Sequence, residues 1–178
     1  MKDTIIVNLF GGPGCGKSTI AAGLFYELKC EGKYDCELVT EVAKDIIWDG
    51  NIELLKNQFF VFGNQYHRIW RLIGKVDIII CDSPFLLCHI YDNMKSSGLL
   101  MNVLENHKKL KNIDFFIDRL EIDFEENGRN YNFEESLKKD NEIKNMLDKY
   151  NIEYHVVNEE NSSKNVKEIL NILKKILY

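Results

Sequence analysis

Nine residues constrain this chain more than any other feature: Gly11-Gly12-Pro13-Gly14-Cys15-Gly16-Lys17-Ser18-Thr19. They fit the pattern G-x-x-x-x-G-K-[ST] and stand between a β-rich apolar run, Thr4 to Phe10, and a helical pattern that begins at Lys17. Glycines at these spacings let successive backbone N–H groups turn inward on an anion. The N-terminus of the following helix adds its partial positive charge. Gly12, Gly14, Cys15, Gly16, Lys17, Ser18 and Thr19 are therefore the expected contacts to the phosphates of ATP. Lys17 is expected to bridge the β- and γ-phosphates, and the Ser18 hydroxyl to ligate Mg2+. A chance match in a glycine turn is the bland rival, and the strand-to-helix context counts against it. Cys15 occupies a variable position of the loop and reads as an inert small residue rather than an activated thiol.

Downstream, strands and helices alternate. Strands are expected at Cys36 to Thr40, Val76 to Cys81, Asp114 to Ile117 and Tyr154 to Val157. Val76 to Cys81 is almost wholly apolar, as in a strand buried on both faces of a parallel sheet. Helices are expected from Lys17 to about Cys30, Ala43 to Trp48, about Glu53 to Ile73, about Pro84 to Met94, Leu99 to Lys109, Phe133 to Tyr150 and Ser162 to Leu177. Leu120 to Asn132 is polar and acidic and contains glycine, which predicts a loop or lid. The pattern predicts one domain over 1–178: a three-layer α/β fold with a five-stranded parallel sheet. Ligands of such sheets bind beyond the carboxyl ends of the strands, so the residues just after each strand matter most.

Asp82 closes the buried run before it, where a carboxylate can hold magnesium or its water. Its rival role is N-cap for the helix after Pro84. Glu41 follows the second strand and is placed to take the proton from an attacking hydroxyl, against the alternative of a solvated surface Glu. Lys44, one turn later, can pair with Glu41 or with an acceptor phosphate. On the long helix, Gln58, Gln65 and Arg68 share a face beside Phe62, chemistry suited to reading and stacking a base; an amphipathic core helix is the plain alternative. Arg119 ends the fourth strand and Arg129 lies in the acidic loop, where each can reach charge developing on a transferred phosphoryl group. Ordinary loop arginines are the rival there.

A net charge of −5 argues against a generic DNA-coating or membrane-surface protein, although a local basic groove stays open. The short run His107-Lys108-Lys109-Leu110-Lys111 reads first as a solvated helix end. Five scattered cysteines without C-x-x-C or zinc spacing suit a reducing cytoplasm. Neither a signal peptide nor a membrane span is expected.

With these motifs in order, the chain resembles a known family. Thr-Glu-Val-Ala-Lys-Asp after the second strand, Asn-Gln-Tyr-His-Arg on the long helix, Asp-Ser-Pro after the third strand and Phe-Phe-Ile-Asp-Arg with a later Gly-Arg resemble the small phage-encoded P-loop ATPases and kinases. Some members of that group are 5-hydroxymethyluridine DNA kinases. More distantly, the layout is similar to deoxynucleoside and nicotinamide riboside kinases. The resemblance implies the P-loop NTPase fold, nucleoside-kinase-like, with ATP and Mg2+ as cofactors. It implies Glu41 or Asp82 as the base, Asp82 with Ser18 at the metal, Gln58 and Gln65 near the acceptor, and Arg119 and Arg129 as lid arginines. It also implies a nucleoside-like acceptor, foremost the hydroxymethyl group of a modified base in phage DNA, and a place in the host cytoplasm. Val42 stands where the family pattern has Tyr, and Asn130-Tyr131 where it has Gln. A free nucleoside or nucleotide kinase is the alternative acceptor class. An ATP-hydrolysing switch is the alternative outside the kinases, though the N-K-x-D of a GTPase is missing.

Overall fold

The computed structural model describes residues 2–119 and 132–177. Its centre is a sheet of five parallel strands: β1 (Ile5–Phe10), β2 (Cys36–Val39), β3 (Ile78–Cys81), β4 (Lys111–Ile117) and β5 (His155–Val157). They lie in the order β2-β3-β1-β4-β5. Side chains of a strand alternate between faces, and β1 shows why this sheet needs cover on both. Ile6 and Phe10 enter one core while Val7 and Leu9 enter the other, and β3 divides in the same way, Ile79 against Ile78 and Ile80.

One face is covered by α1 (Lys17–Glu31) and α7 (Ser162–Leu177). Across the other lie α2 (Val42–Trp48), α3 (Gln58–Trp70), α4 (Leu87–Tyr91), α5 (Ser97–Lys108) and α6 (Phe133–Lys149). The result is the three-layer α/β P-loop architecture that the alternating pattern predicts.

Several boundaries differ from the sequence expectation: α4 covers only Leu87–Tyr91 of the expected Pro84 to Met94, and β3 starts at Ile78 rather than Val76. The helix expected from Glu53 to Ile73 is broken, with a 3-10 turn over Ile52–Lys56 and α3 starting only at Gln58. Asn57 is the reason: its side chain accepts the Phe60 N–H at 3.2 Å, the N-cap that starts a new helix. β4 begins at Lys111 rather than Asp114, paired to β1 from Ile5 onward. Its polar start is tolerated because Asn8 of β1 donates to Asn112 Oδ1 at 2.9 Å and to Asp114 Oδ1 at 2.7 Å. His107, read as part of a solvated basic run, is instead buried, with Nε2 standing 2.9 Å from Asp114 Oδ2. Lys109 pairs with Glu105, as a surface residue does.

The strand order places the site. From β1 the chain crosses to β2 on one side, and from β3 it crosses past β1 to β4 on the other. The adjacent carboxyl ends of β1 and β3 therefore form a switch point, where a crevice opens. The phosphate-binding motif follows β1 and Asp82 follows β3.

Candidate active site

The loop after β1 turns into α1 through Gly16, which has φ 88°, a left-handed conformation that glycine adopts without strain. Pro13, Gly14, Gly16, Lys17, Ser18 and Thr19 form one end of a cavity of about 410 Å3. Lys17 Nζ arches back over the loop and donates to the carbonyls of Gly11 at 2.7 Å and Gly12 at 2.9 Å. This holds the ammonium at the mouth of the loop. Cys15 faces away, buried in the core beneath α1, with Sγ 3.7 Å from Lys17 Nζ.

Asp82 is buried beside Ser18, 5% exposed, and the Ser83 and Pro84 that follow it, rather than Asp82 itself, line the cavity. Burial pushes its carboxyl pKa up, while a hydrogen bond from Ser18 and the charges of Lys17 and Lys44 pull it back only in part. Its Oδ1 is buried without a hydrogen-bond partner among the described residues. A buried carboxylate oxygen awaiting a partner, next to a serine hydroxyl at a phosphate loop, fits a hard cation that keeps most of its ligands as water and phosphate.

The sign of that shift gives a prediction. A carboxylate whose folded pKa is raised is no burden at low pH, where it is protonated folded or unfolded. It costs stability as pH rises through the folded pKa. Asp82→Asn is therefore expected to raise the melting temperature of the metal-free protein at neutral pH by a few degrees, with the gain vanishing near about pH 4. Thermal melts of both proteins from pH 4 to 8 check this, and a variant that melts lower at pH 7 would contradict it.

Away from the loop the cavity lining is largely apolar, with Ile47, Ile52, Leu55, Val61, Phe85 and Leu87 from α2, the 3-10 turn, α3 and the segment after β3, interrupted by Lys56, Gln58 and Gln65. Glu41, the N-cap residue of α2, and Lys44 line the same cavity. The thiol of Cys88 also lines the chamber, and burial pushes its pKa up to about 12, so it contributes volume rather than a nucleophile.

The expected base-reading face comes apart. Gln58 lines the chamber, with its amide nitrogen donating to Leu55 O at 2.7 Å. Gln65 borders it too, but is 2% exposed and committed to backbone: its Oε1 accepts Val42 N–H at 2.9 Å and its Nε2 donates to Thr40 O at 3.3 Å. Phe62 packs against Tyr66 and Phe85, outside the cavity lining. Arg68 is tied to Thr40 O and Oγ1, each at 3.2 Å, and to Asp45. Gln65 and Arg68 thus hold the end of β2 and the start of α2 in place, which positions Glu41 and Lys44.

Arg119 also lies outside the cavity lining. Its Nε and one terminal nitrogen donate to Asp140 Oδ2 at 3.0 and 2.8 Å, and the other terminal nitrogen donates to Pro13 O at 3.0 Å. Asp140 of α6 gave no sign in the sequence, where it is one acid in a charged helix; its partners are distant along the chain. Tyr91 and Asn93, which also line the cavity, were missed as well. The expected lid falls almost wholly on residues 120–131, which lie outside the described residues, Arg129 among them. Among the described residues no cluster of three His, Cys, Asp or Glu forms a metal site. No described helix is long and apolar enough to cross a membrane.

Comparison with known proteins places this geometry. A family described as AAA domain matches residues 6–164. No curated protein sequence matches the chain. Among solved structures it is similar to deoxyadenosine kinase from M. mycoides with bound dATP, at 18% identity and a TM-score of 0.61, covering 95% of this chain and 99% of that one. It is similar to thymidylate kinase from Ehrlichia chaffeensis, at 14% identity and a TM-score of 0.62, covering 96% and 98%. It is also similar to Chaetomium thermophilum Kti12 in complex with ADP-AlF3, at 14% identity and a TM-score of 0.58, covering 96% and 97%. At these identities the likeness establishes a shared fold.

Proposed function

This chain belongs to the AAA domain family, and from that premise we propose that it is an ATP-dependent kinase transferring the γ-phosphoryl group to a hydroxyl of a nucleoside-like acceptor. The observation that carries the proposal is the continuity of one cavity from the phosphate loop to an apolar chamber. A plain hydrolase needs room for one water beyond the γ-phosphate, whereas this cavity continues past the loop along apolar side chains that suit a flat organic acceptor.

In this reading Lys17 and the loop N–H groups beyond Gly12, whose own N–H is held by Asp140 Oδ1, bind the triphosphate, and Ser18 and Asp82 would hold Mg2+. The metal, when bound, offsets charge on the phosphate oxygens. The apolar walls and Gln58 orient the acceptor and exclude water. Its hydroxyl oxygen forms the new bond to the γ-phosphorus as the bond to the β–γ bridging oxygen breaks and ADP leaves. Glu41 takes the hydroxyl proton, and Lys44 sits where an anionic substituent of the acceptor would approach. Arg119 is assigned a supporting part and Arg129 a contact from the segment after it.

The sharper reading, a 5-hydroxymethyluridine base in DNA, rests on the motif resemblance. A base in a duplex would have to be flipped into the chamber at a cost of a few kcal/mol, and the Phe62 and Gln65 face gives it no help. A second reading is an ATP-hydrolysing switch: the fold shared with Kti12, solved in complex with ADP-AlF3, fits nucleotide binding without naming an acceptor. Labelled ATP offered with free nucleosides, nucleotides, unmodified DNA and DNA containing 5-hydroxymethyluridine separates these readings. Label on an acceptor supports the kinase, and which arm is labelled names its class. Rapid phosphate release with no acceptor labelled would overturn it in favour of the switch.

A further inference from the structure

Asp140 is a buried carboxylate, 7% exposed, on the helix that crosses the phosphate loop from outside. Both of its oxygens are used. Oδ1 accepts the Gly12 N–H at 2.5 Å, and Oδ2 accepts two donors of Arg119. Arg119 in turn donates to Pro13 O, and its guanidinium carbon lies 5.7 Å from the centre of the Phe133 ring. These bonds join the loop after β1, the end of β4 and α6 in one closed ring. Gly12 has no room for a side chain, since a Cβ there would stand 2.7 Å from Ser136 O and 2.8 Å from Asp140 Oδ1.

A loop with four glycines between Gly11 and Gly16 has unusual conformational freedom to lose when it closes on an anion. Bonds that fix its first residues beforehand remove part of that loss from the binding step. A carboxylate alone would do this badly, because its charge opposes phosphate nearby. Arg119 cancels that charge and adds a second anchor at Pro13.

We propose that Asp140, neutralised by Arg119, is a positioning residue that preorganises the phosphate loop for the triphosphate. This rests on the reading of the loop as an ATP site. It also gives Arg119 work other than touching the transferred phosphoryl group.

The test uses the fluorescent analogue mant-ATP with Mg2+, titrated at a temperature where every variant is folded by circular dichroism. Asp140→Asn is expected to bind it about 10-fold more weakly than wild type. Asn can keep the Gly12 bond through its oxygen but turns an NH2 toward the Arg119 donors, opening the ring while Arg119 is still present. Had Arg119 gripped phosphate directly, freeing it would leave affinity unchanged or improved, and that result overturns the proposal. The double variant Arg119→Met/Asp140→Leu separates positioning from mere stability. Replacing a buried ion pair by apolar groups commonly restores stability, but it leaves Gly12 N–H and Pro13 O without partners. Recovered melting temperature with affinity still about 10-fold down, beside the same loss in Asp140→Asn, which keeps Arg119, supports positioning. Recovery of both overturns it, and this holds even if Asp140→Asn alone does not fold. Wild type that fails to bind mant-ATP would remove the ATP reading itself, and this inference with it.

Discussion

Lys17→Ala is expected to abolish phosphoryl transfer, lowering turnover by about 10²–10³-fold or more, while the melting temperature stays close to that of wild type. The side chain belongs to neither hydrophobic core, and its ammonium bonds to the Gly11 and Gly12 carbonyls and the Cys15 Sγ of its own loop, so its removal leaves no cavity in the packing. What disappears is a full positive charge at the mouth of a water-poor crevice, where electrostatic stabilisation is strongest. Initial rates with labelled ATP and the preferred acceptor, beside a thermal melt, measure both halves of the expectation. Turnover equal to wild type would remove the loop from the centre of the chemistry.

The second large effect is expected at Glu41. Glu41→Gln keeps the shape of the side chain and removes its capacity to take a proton, so turnover should fall about 10²–10⁴-fold. ATP binding should stay within about twofold, since Glu41 belongs to the β2–α2 junction rather than to the phosphate loop. Asp82 competes for the same role: it is more deeply buried, and burial raises its pKa. Its hydrogen bond with Ser18 instead ties it to the metal side. The two assignments part cleanly in steady-state kinetics combined with mant-ATP titration. If Glu41→Gln turns over normally while Asp82→Asn binds ATP and magnesium but does no chemistry, Asp82 is the base.

Much of this was written locally in the chain. The phosphate loop needs glycines at fixed spacing, a preceding buried strand and a following helix, all within about fifteen residues, and each has a pattern that a sequence displays. The five strands, their parallel arrangement and the position of Asp82 follow from hydrophobic period and the rules of strand crossover. That Glu41 and Lys44 line the cavity was legible because a strand end in such a sheet points at its ligand crevice.

What stayed hidden depended on which distant residues meet. Gln65 and Phe62 share a helix with Gln58, yet Gln65 turned to the backbone of the β2–α2 junction and Phe62 to Phe85; a 3.6-residue period gives the face of a helix, not what that face will touch. The break at Asn57 came from a single side-chain cap competing with helix continuation. Asp140 is the sharpest case. Alone among the acids of α6 named at the site, it reaches Gly12, 128 residues away along the chain, and Arg119, 21 away. Local sequence by itself determined that this chain builds a phosphate loop on a parallel sheet. Only tertiary packing decided which carboxylate lies against that loop, because a buried charge is tolerated just where long-range contacts supply its partners.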